Sequence, residues 1–239
     1  MQKKIKNSLL AITFLALAAA MATTASAQTT KSAIQAMSGW QHCAACAGPG
    51  GTGVSATTTM VRGIGSPSLT GAASRFTISS SRPYADVLWW KQLGAANSAS
   101  NLVYDLYFYI KTPQYAQALE FDANQANGSH RWIFGTQCNI GARHWDIWAN
   151  AAGKWTSTGI PCSAPTAFKW HHLTWEFKRS SSQVTFVAFT YDGVKHYVNR
   201  TYPVHLSSVH ELNVAFQMDQ RSNHVTYSTW LDKISLKYW

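Results

Sequence analysis

From Arg75 to the C terminus the chain repeats one pattern: short runs of β-branched and aromatic residues that alternate in polarity, separated by polar or Gly-containing breaks. The clearest are Tyr104-Asp-Leu-Tyr-Phe-Tyr-Ile110 and Val184-Thr-Phe-Val-Ala-Phe-Thr-Tyr191. Each places one apolar set on one face of an extended chain. Such runs predict strands at 75–79, 86–91, 102–111, 117–125, 131–138, 145–149, 171–178, 184–191, 194–202, 212–219 and 226–238. Asp192-Gly193 lies between two of these runs and predicts a tight hairpin turn. No segment keeps a helical period over three turns. Eleven strands in so short a stretch imply an all-β fold: two large antiparallel sheets packed as a jelly-roll β-sandwich.

The N terminus predicts an export signal. Lys3, Lys4 and Lys6 precede an apolar run, Leu9 to Met21, and Ala25-Ser26-Ala27 offers a small-residue cleavage site. Residues 1–27 are therefore expected to be removed, giving a secreted or periplasmic protein after cleavage near Ala27. Residues 28–72, rich in Gly, Ala, Ser and Thr, are expected to join the fold through one strand near Ser55 to Val61. Residues 73–239 are expected to form one sandwich domain, without a membrane span and as a monomer. Without the signal the chain carries seventeen basic and ten acidic residues, a net charge of +7. That balance favours an anionic partner such as acidic polysaccharide or lipopolysaccharide. Nucleic acid is not expected, because the Lys and Arg are scattered and form no dense run.

Cys43, Cys46, Cys138 and Cys162 all follow the expected signal, and an even count in an exported chain predicts two disulfides. Three pairings are open; the nearness of Cys43 to Cys46 favours joining those two. The nine histidines form no His-x-His or His-x-x-x-His pair, so no catalytic metal is expected. No cofactor is expected either, and no dense acidic loop announces a structural calcium.

Three segments in order carry a family likeness: Trp170-His-His-Leu-Thr-Trp-Glu-Phe177, then Val184 to Val194 through the Asp-Gly turn, then Leu231-Asp-Lys-Ile-Ser-Leu-Lys-Tyr-Trp239. Together they resemble the concanavalin A-like lectin/glucanase superfamily, including its laminin-G-like members. The resemblance spans roughly residues 75–239 and implies a bent sandwich whose concave sheet binds glycans. The superfamily holds lectins, hydrolases and lyases, so the fold leaves function open.

Leu119-Glu-Phe-Asp-Ala-Asn-Gln125 puts Glu120, Asp122 and Asn124 on one face of a strand. This segment is similar to the catalytic strand of glycoside hydrolase families 16 and 7, Glu-x-Asp-x-x-Glu or Glu-x-Asp-x-Glu. The resemblance makes Glu120 the nucleophile and Asp122 the residue that positions it. The acid/base position is Gln125 in the bulged register or Asn124 in the regular one, and an amide has no proton to give a leaving oxygen. Losing a general acid costs about 10²–10⁴ in rate. Asp146 and Asp219 are the candidates for a displaced acid. Retention would require two carboxyls about 5 Å apart.

Flat indoles stack on sugar rings while amides and carboxylates meet the hydroxyls. Trp132 and Trp148 are expected to line the groove, with Asn124, Gln125, Arg131 and His130 as further ligand-binding residues. Adjacent Trp89 and Trp90 must face opposite ways, so one of them belongs to the core. The expected function is carbohydrate binding in a Trp-lined groove without catalysis. One alternative is an endo-acting β-glucanase using Glu120. Another is a lyase on an acidic polymer, drawing its carboxylate-neutralising and base groups from Gln125, Asn124, Arg131 and His130.

Overall fold

The structure, a computed structural model, describes residues 27–46 and 54–239. The expected export signal lies almost entirely outside the described residues. Among those described, no helix is long and apolar enough to cross a membrane.

The strands in chain order are β1 Thr29–Lys31, β2 Trp40–Ala44, β3 Thr57–Ile64, β4 Ala73–Ser79, β5 Asp86–Gln92 and β6 Asn101–Ile110. There follow β7 Ala116–Asn127, β8 His130–Phe134, β9 Thr136–Asn139, β10 His144–Ala149, β11 Lys154–Pro161 and β12 Lys169–Arg179. The last are β13 Gln183–Tyr191, β14 Val194–Pro203, β15 His205–Leu206, β16 His210–Gln220 and β17 Tyr227–Tyr238. An eight-stranded sheet runs β14-β13-β12-β6-β17-β4-β3, with β1 on β17. A nine-stranded sheet runs β11-β10-β9-β7-β16-β5-β2, with β8 on β7 and β15 on β8. Every strand pair within the two sheets is antiparallel.

Alternation builds the core. Leu119, Phe121 and Ala123 of β7 face inward, as do Leu212, Val214, Phe216 and Met218 of β16. They meet Leu102, Tyr104, Leu106, Phe108 and Ile110 of β6 from the other sheet. Phe76, Trp89, Phe121 and Phe216 form an aromatic cluster between the layers: Phe76 meets Trp89 and Phe216 edge-to-face, Trp89 stacks on Phe216, and Phe121 tilts against Phe216. Such aromatic contacts add about 0.5–1.5 kcal/mol each beyond area burial. Tyr191 pairs with Val194 around Asp192 (φ 46°) and Gly193 (φ 86°), the two left-handed residues that a two-residue hairpin loop of right-handed twist requires.

Three differences from expectation bear on the site. The segment expected at 131–138 is two strands broken at Gly135, whose carbonyl accepts from Trp148 N at 2.9 Å. A Cβ there would sit 2.9 Å from Trp148 Cβ, so only glycine lets that indole approach. Strand β11 was not foreseen, because Lys154-Trp-Thr-Ser-Thr-Gly has little apolar alternation. Residues 28–72 supply three strands rather than one, and β2 pairs with β5 to extend the nine-stranded sheet. All three are edge strands, whose polar, small residues carry no core pattern.

The disulfides are Cys43–Cys46 and Cys138–Cys162. The second closes a separation of 24 residues and joins β9 to the segment after β11. Loop-closure entropy assigns it about 3 kcal/mol and the short Cys43–Cys46 loop less. A Cys138→Ala/Cys162→Ala double variant should lose about that much in chemical denaturation, against a smaller loss for Cys43→Ala/Cys46→Ala. The reverse ranking would contradict this.

Candidate functional site

The face of the nine-stranded sheet turned away from the core carries a cleft of about 360 Å³. Its floor comes from β7 and β16. Glu120, Asp122 and Asn124 alternate with the core residues of β7, and Glu211, Asn213 and Ala215 do so on β16. Trp148 of β10 and Trp155 of β11 form one wall, with ring centroids 5.2 Å apart and planes at 74°. Leu88 and Trp90 of β5 and the Cys43–Cys46 disulfide of β2 form the other. Four inter-strand spacings separate Trp148 from Trp90, about 19 Å.

The pairing of β7 with β16 is regular from Asn127 to Ala118, so no bulge shifts the acidic strand. The unbulged register therefore holds, and the third motif position is Asn124. Gln125 is a correction. It is fully buried on the core side, where its Nε2 donates to the carbonyls of Ala96 and Ala99. Trp132 is another. It is fully buried, donates Nε1–H to Ser180 O at 3.0 Å, and packs under the Arg179 guanidinium at 4.1 Å. His130 shares its parity, packs on Trp132 and pairs with Ser129 Oγ at 2.9 Å. The alternation of β8 explains both: His130, Trp132 and Phe134 lie on one side, Arg131 and Ile133 on the cleft side. With Gln125 and His130 off the cleft, two of the four groups named for a lyase are absent from it.

Arg131 and Trp148 line the cleft. Arg131 Nε is bound to Glu211 Oε1 at 2.6 Å. Trp90 and Trp155 also line it, Trp90 being the outward member of the adjacent pair. Glu211 and Asn213 were not foreseen, although Glu211-Leu-Asn-Val-Ala-Phe-Gln-Met-Asp219 alternates as plainly as β7.

A hydrogen-bond ladder crosses the floor. Asn124 Nδ2 donates to Asn213 Oδ1 at 2.9 Å, and Asn213 Nδ2 donates to Glu211 Oε2 at 3.0 Å. Asp122 Oδ1 accepts from Thr136 N at 2.9 Å. Glu120 and Asp122, two residues apart on one face of β7, perturb each other. Burial first, then the charge and hydrogen bond of Asp122, push Glu120 well above the usual carboxyl range. Burial raises Asp122 to about 6, against the hydrogen bonds from Glu120 and Thr136.

Further along the same face, Asp219 stands opposite Asp86 on the neighbouring strand. Burial and the Asp86 charge lift Asp219 to about 7, and burial lifts Asp86 to about 6. Asp146 is engaged. Its Oδ2 accepts from Gln137 Nε2 at 2.9 Å and Asn139 Nδ2 at 3.0 Å, and Oδ1 lies 2.7 Å from His144 Nδ1. Among the described residues no group of three or more His, Cys, Asp or Glu is arranged to hold a metal ion.

The two sheets differ in charge. The strands of the nine-stranded sheet carry six acids, Asp86, Glu120, Asp122, Asp146, Glu211 and Asp219, and three bases, Lys91, Arg131 and Lys154. Strand parity puts all six acids on the cleft side, with Arg131 as the one base beside them. The strands of the eight-stranded sheet carry ten bases and only Asp105, Glu176 and Asp232 as acids. The basic excess of the chain thus lies away from the cleft.

No protein-family model matches the sequence, and no curated protein matches it. Solved structures do resemble the fold. An endo-beta-1,4-glucuronan lyase from the fungus Trichoderma reesei superposes with a TM-score of 0.54 at 10% identity, covering 86% of this chain and 94% of that one. Arcelin-5, a lectin-like defense protein from Phaseolus vulgaris, gives 0.53 at 11%, covering 89% and 98%. The carbohydrate recognition domain of Emp47p gives 0.51 at 8%, covering 86% and 93%. At these identities the likeness establishes architecture, and the chain is an all-β, two-sheet antiparallel jelly-roll sandwich of the kind found in lectins.

Proposed function

We propose that the cleft binds a polysaccharide and does so without cleaving it. The observation that carries this reading is the joint placement of Trp90, Trp148 and Trp155 around a floor of buried carboxyl and amide side chains. Indole faces take the apolar face of a sugar ring, and the floor groups exchange hydrogen bonds with its hydroxyls. The similar folds include a lectin-like protein, a carbohydrate recognition domain and a glucuronan lyase, which supports a glycan ligand. The absence of catalysis rests on the third motif position: Asn124 is an amide and releases no proton.

Affinity electrophoresis against a panel of plant, algal and microbial polymers tests this. Trp155, at the sheet edge and only half-buried, is the cleanest wall residue to remove. Trp155→Ala should weaken retention on the bound polymer about tenfold, with little change in thermal midpoint. Retention on no polymer, or retention indifferent to Trp155→Ala, would refute the proposal.

A hydrolase remains a second reading because of Asp219. Glu120 stands opposite Gln217 across the ladder, so Asp219 is its diagonal neighbour, about 7–8 Å away. A carboxyl lifted to about 7 is still protonated near neutrality and could replace the missing acid. Release of reducing ends, abolished by Asp219→Asn and by Glu120→Gln, would establish hydrolysis. A preparation inactive on every polymer it binds would leave binding alone.

A further inference from the structure

The outward face of the eight-stranded sheet carries aromatic side chains where an antiparallel sheet usually shows polar ones to solvent. With Leu106, Phe108 and Ile110 of β6 in the core, Tyr107 and Tyr109 point outward, and Trp170 and His172 of β12 and Trp230 of β17 do the same. Arg75, Trp230, Tyr109 and Trp170 are successive cross-strand partners on β4, β17, β6 and β12, a row about 14 Å long. The Tyr109 ring lies between the two indoles, 5.7 Å from Trp230 at 86° and 5.5 Å from Trp170 at 47°. Three cations surround this row. Lys111 Nζ lies 5.2 Å from the Trp230 ring centroid. A bulge between Asp232 and Ser235, with Lys233 at φ 52°, turns the Lys233 ammonium over Tyr107, 5.4 Å from its ring centroid. Arg75 stands at the end of the row, and its Nε is buried without a hydrogen-bond partner.

Among the described residues none of these three cations is paired with a carboxylate. The acids of the same strands are engaged elsewhere. Asp105 accepts from His172 Nε2 at 2.8 Å and from Thr174 Oγ1, Glu176 holds Lys195 at 2.6 Å, and Asp232 is buried under the Ser68–Thr70 turn. An unmet buried donor costs free energy until an acceptor reaches it. A guanidinium presents a planar fork that fits a carboxylate with two parallel bonds, and the lysines add charge of the same sign. Single-stranded nucleic acid fits this face less well. It needs successive free ring faces. Here Tyr109 packs between two indoles, and Tyr107 between the His172 ring at 4.2 Å and the Lys233 ammonium. Trp170, half-buried at the end of the row away from Arg75, offers one indole to a sugar ring.

We infer that this outward face is a second polymer-binding site, separate from the cleft, and that its ligand is a uronate polysaccharide whose carboxylates meet Arg75, Lys111 and Lys233. The cleft lies on the other side of the sandwich, so one molecule presents two binding faces that do not depend on each other. A polymer held only at the outward face is indifferent to Trp155→Ala, and one held only in the cleft is indifferent to changes at Arg75, Lys111 and Lys233.

Titration calorimetry tests this with four oligomers of equal length: galacturonate, its methyl ester, a sulfated glucan and single-stranded DNA. The galacturonate oligomer should bind, and the methyl ester, which keeps the sugar and removes the charge, should bind about tenfold more weakly. Raising salt from about 0.05 to 0.5 M should weaken the galacturonate. Arg75→Gln should weaken it about tenfold. Lys111 and Lys233 are exposed, so Lys111→Gln/Lys233→Gln keeps the fold and should weaken it several-fold even if Arg75→Gln unfolds the chain. Trp155→Ala should leave galacturonate binding unchanged. Equal binding of acid and ester, or binding untouched by the lysine double variant, would overturn the inference. Loss of galacturonate binding in folded Trp155→Ala would place that oligomer in the cleft and overturn it too. Tighter binding of the sulfated glucan or of DNA would overturn the choice of a uronate. No galacturonate binding at all would overturn the second site and leave the cleft reading standing.

Discussion

Asp232→Ala should lower the folding stability by about 3–5 kcal/mol, because it leaves several buried donors without their acceptor at about 1–3 kcal/mol each. In a chain of this size that is roughly 10 °C in thermal midpoint. Asp232 is fully buried on β17. Its carboxylate accepts from Gln35 Nε2 (3.0 Å), Ser68 Oγ (2.7 Å), Leu69 N (2.7 Å), Thr70 N (3.0 Å), Thr70 Oγ1 (2.7 Å) and Lys233 N (2.8 Å). Burial opposes the charge, but the bonds from Ser68, Thr70, Leu69 and Lys233 prevail and hold the group below the usual carboxyl range. One side chain thus fastens the turn between β3 and β4, and the buried Gln35, onto the last strand. Removing it leaves backbone N–H groups without their acceptor. Early proteolysis near Ser68 to Thr70 should accompany the loss. A change below about 1 kcal/mol in urea denaturation would show that water replaces the carboxylate.

The second large effect is an inverted pH dependence. Most proteins gain stability as their carboxylates ionise; here the cleft acids act the other way. Asp86 and Asp122 are lifted to about 6 and Asp219 to about 7, with Glu120 well above its usual range. Between their unfolded values near 4 and these folded values, the folded chain keeps protons that the unfolded chain has released. Unfolding then releases protons, and stability falls as pH rises through this window. Below pH 4 the sign reverses, because the depressed Asp192 and Asp232 lose their charge there. The thermal midpoint should therefore be at least about 5 °C higher at pH 5 than at pH 8. Asp219→Asn and Glu120→Gln should each flatten the slope by stabilising the protein at pH 8. A midpoint higher at pH 8 would contradict the assignment of neutral carboxyls to the cleft.

Alternation made the fold legible, and it made the site legible where only one parity was chemically sensible. On β7 the sequence Leu119-Glu-Phe-Asp-Ala-Asn leaves no doubt about which residues face the core. On β8 both Trp132 and Ile133 are apolar, and the discriminating residue is Arg131, whose charge excludes it from the interior. Reading Trp132 as a sugar platform gave weight to the indole and too little to its neighbour. Gln125 was misplaced for a related reason: a buried amide can satisfy itself on loop carbonyls, here those of Ala96 and Ala99, and no local pattern announces those partners. Trp155 was hidden because an edge strand needs no apolar face. The net charge averages two faces of opposite character.

The distribution of the eleven tryptophans has a practical consequence. Trp89, Trp132, Trp145 and Trp175 are sealed in the interior, whereas Trp90, Trp148 and Trp155 stand around the cleft. Emission from these seven therefore comes from two populations that answer to different events, with Trp40, Trp170, Trp230 and Trp239 as a background that cleft occupancy leaves constant. Occupancy of the cleft should shift and shield the second group while the first stays silent until the sandwich melts. A single fluorescence cell can thus report saturation and denaturation as separate signals, without an added dye.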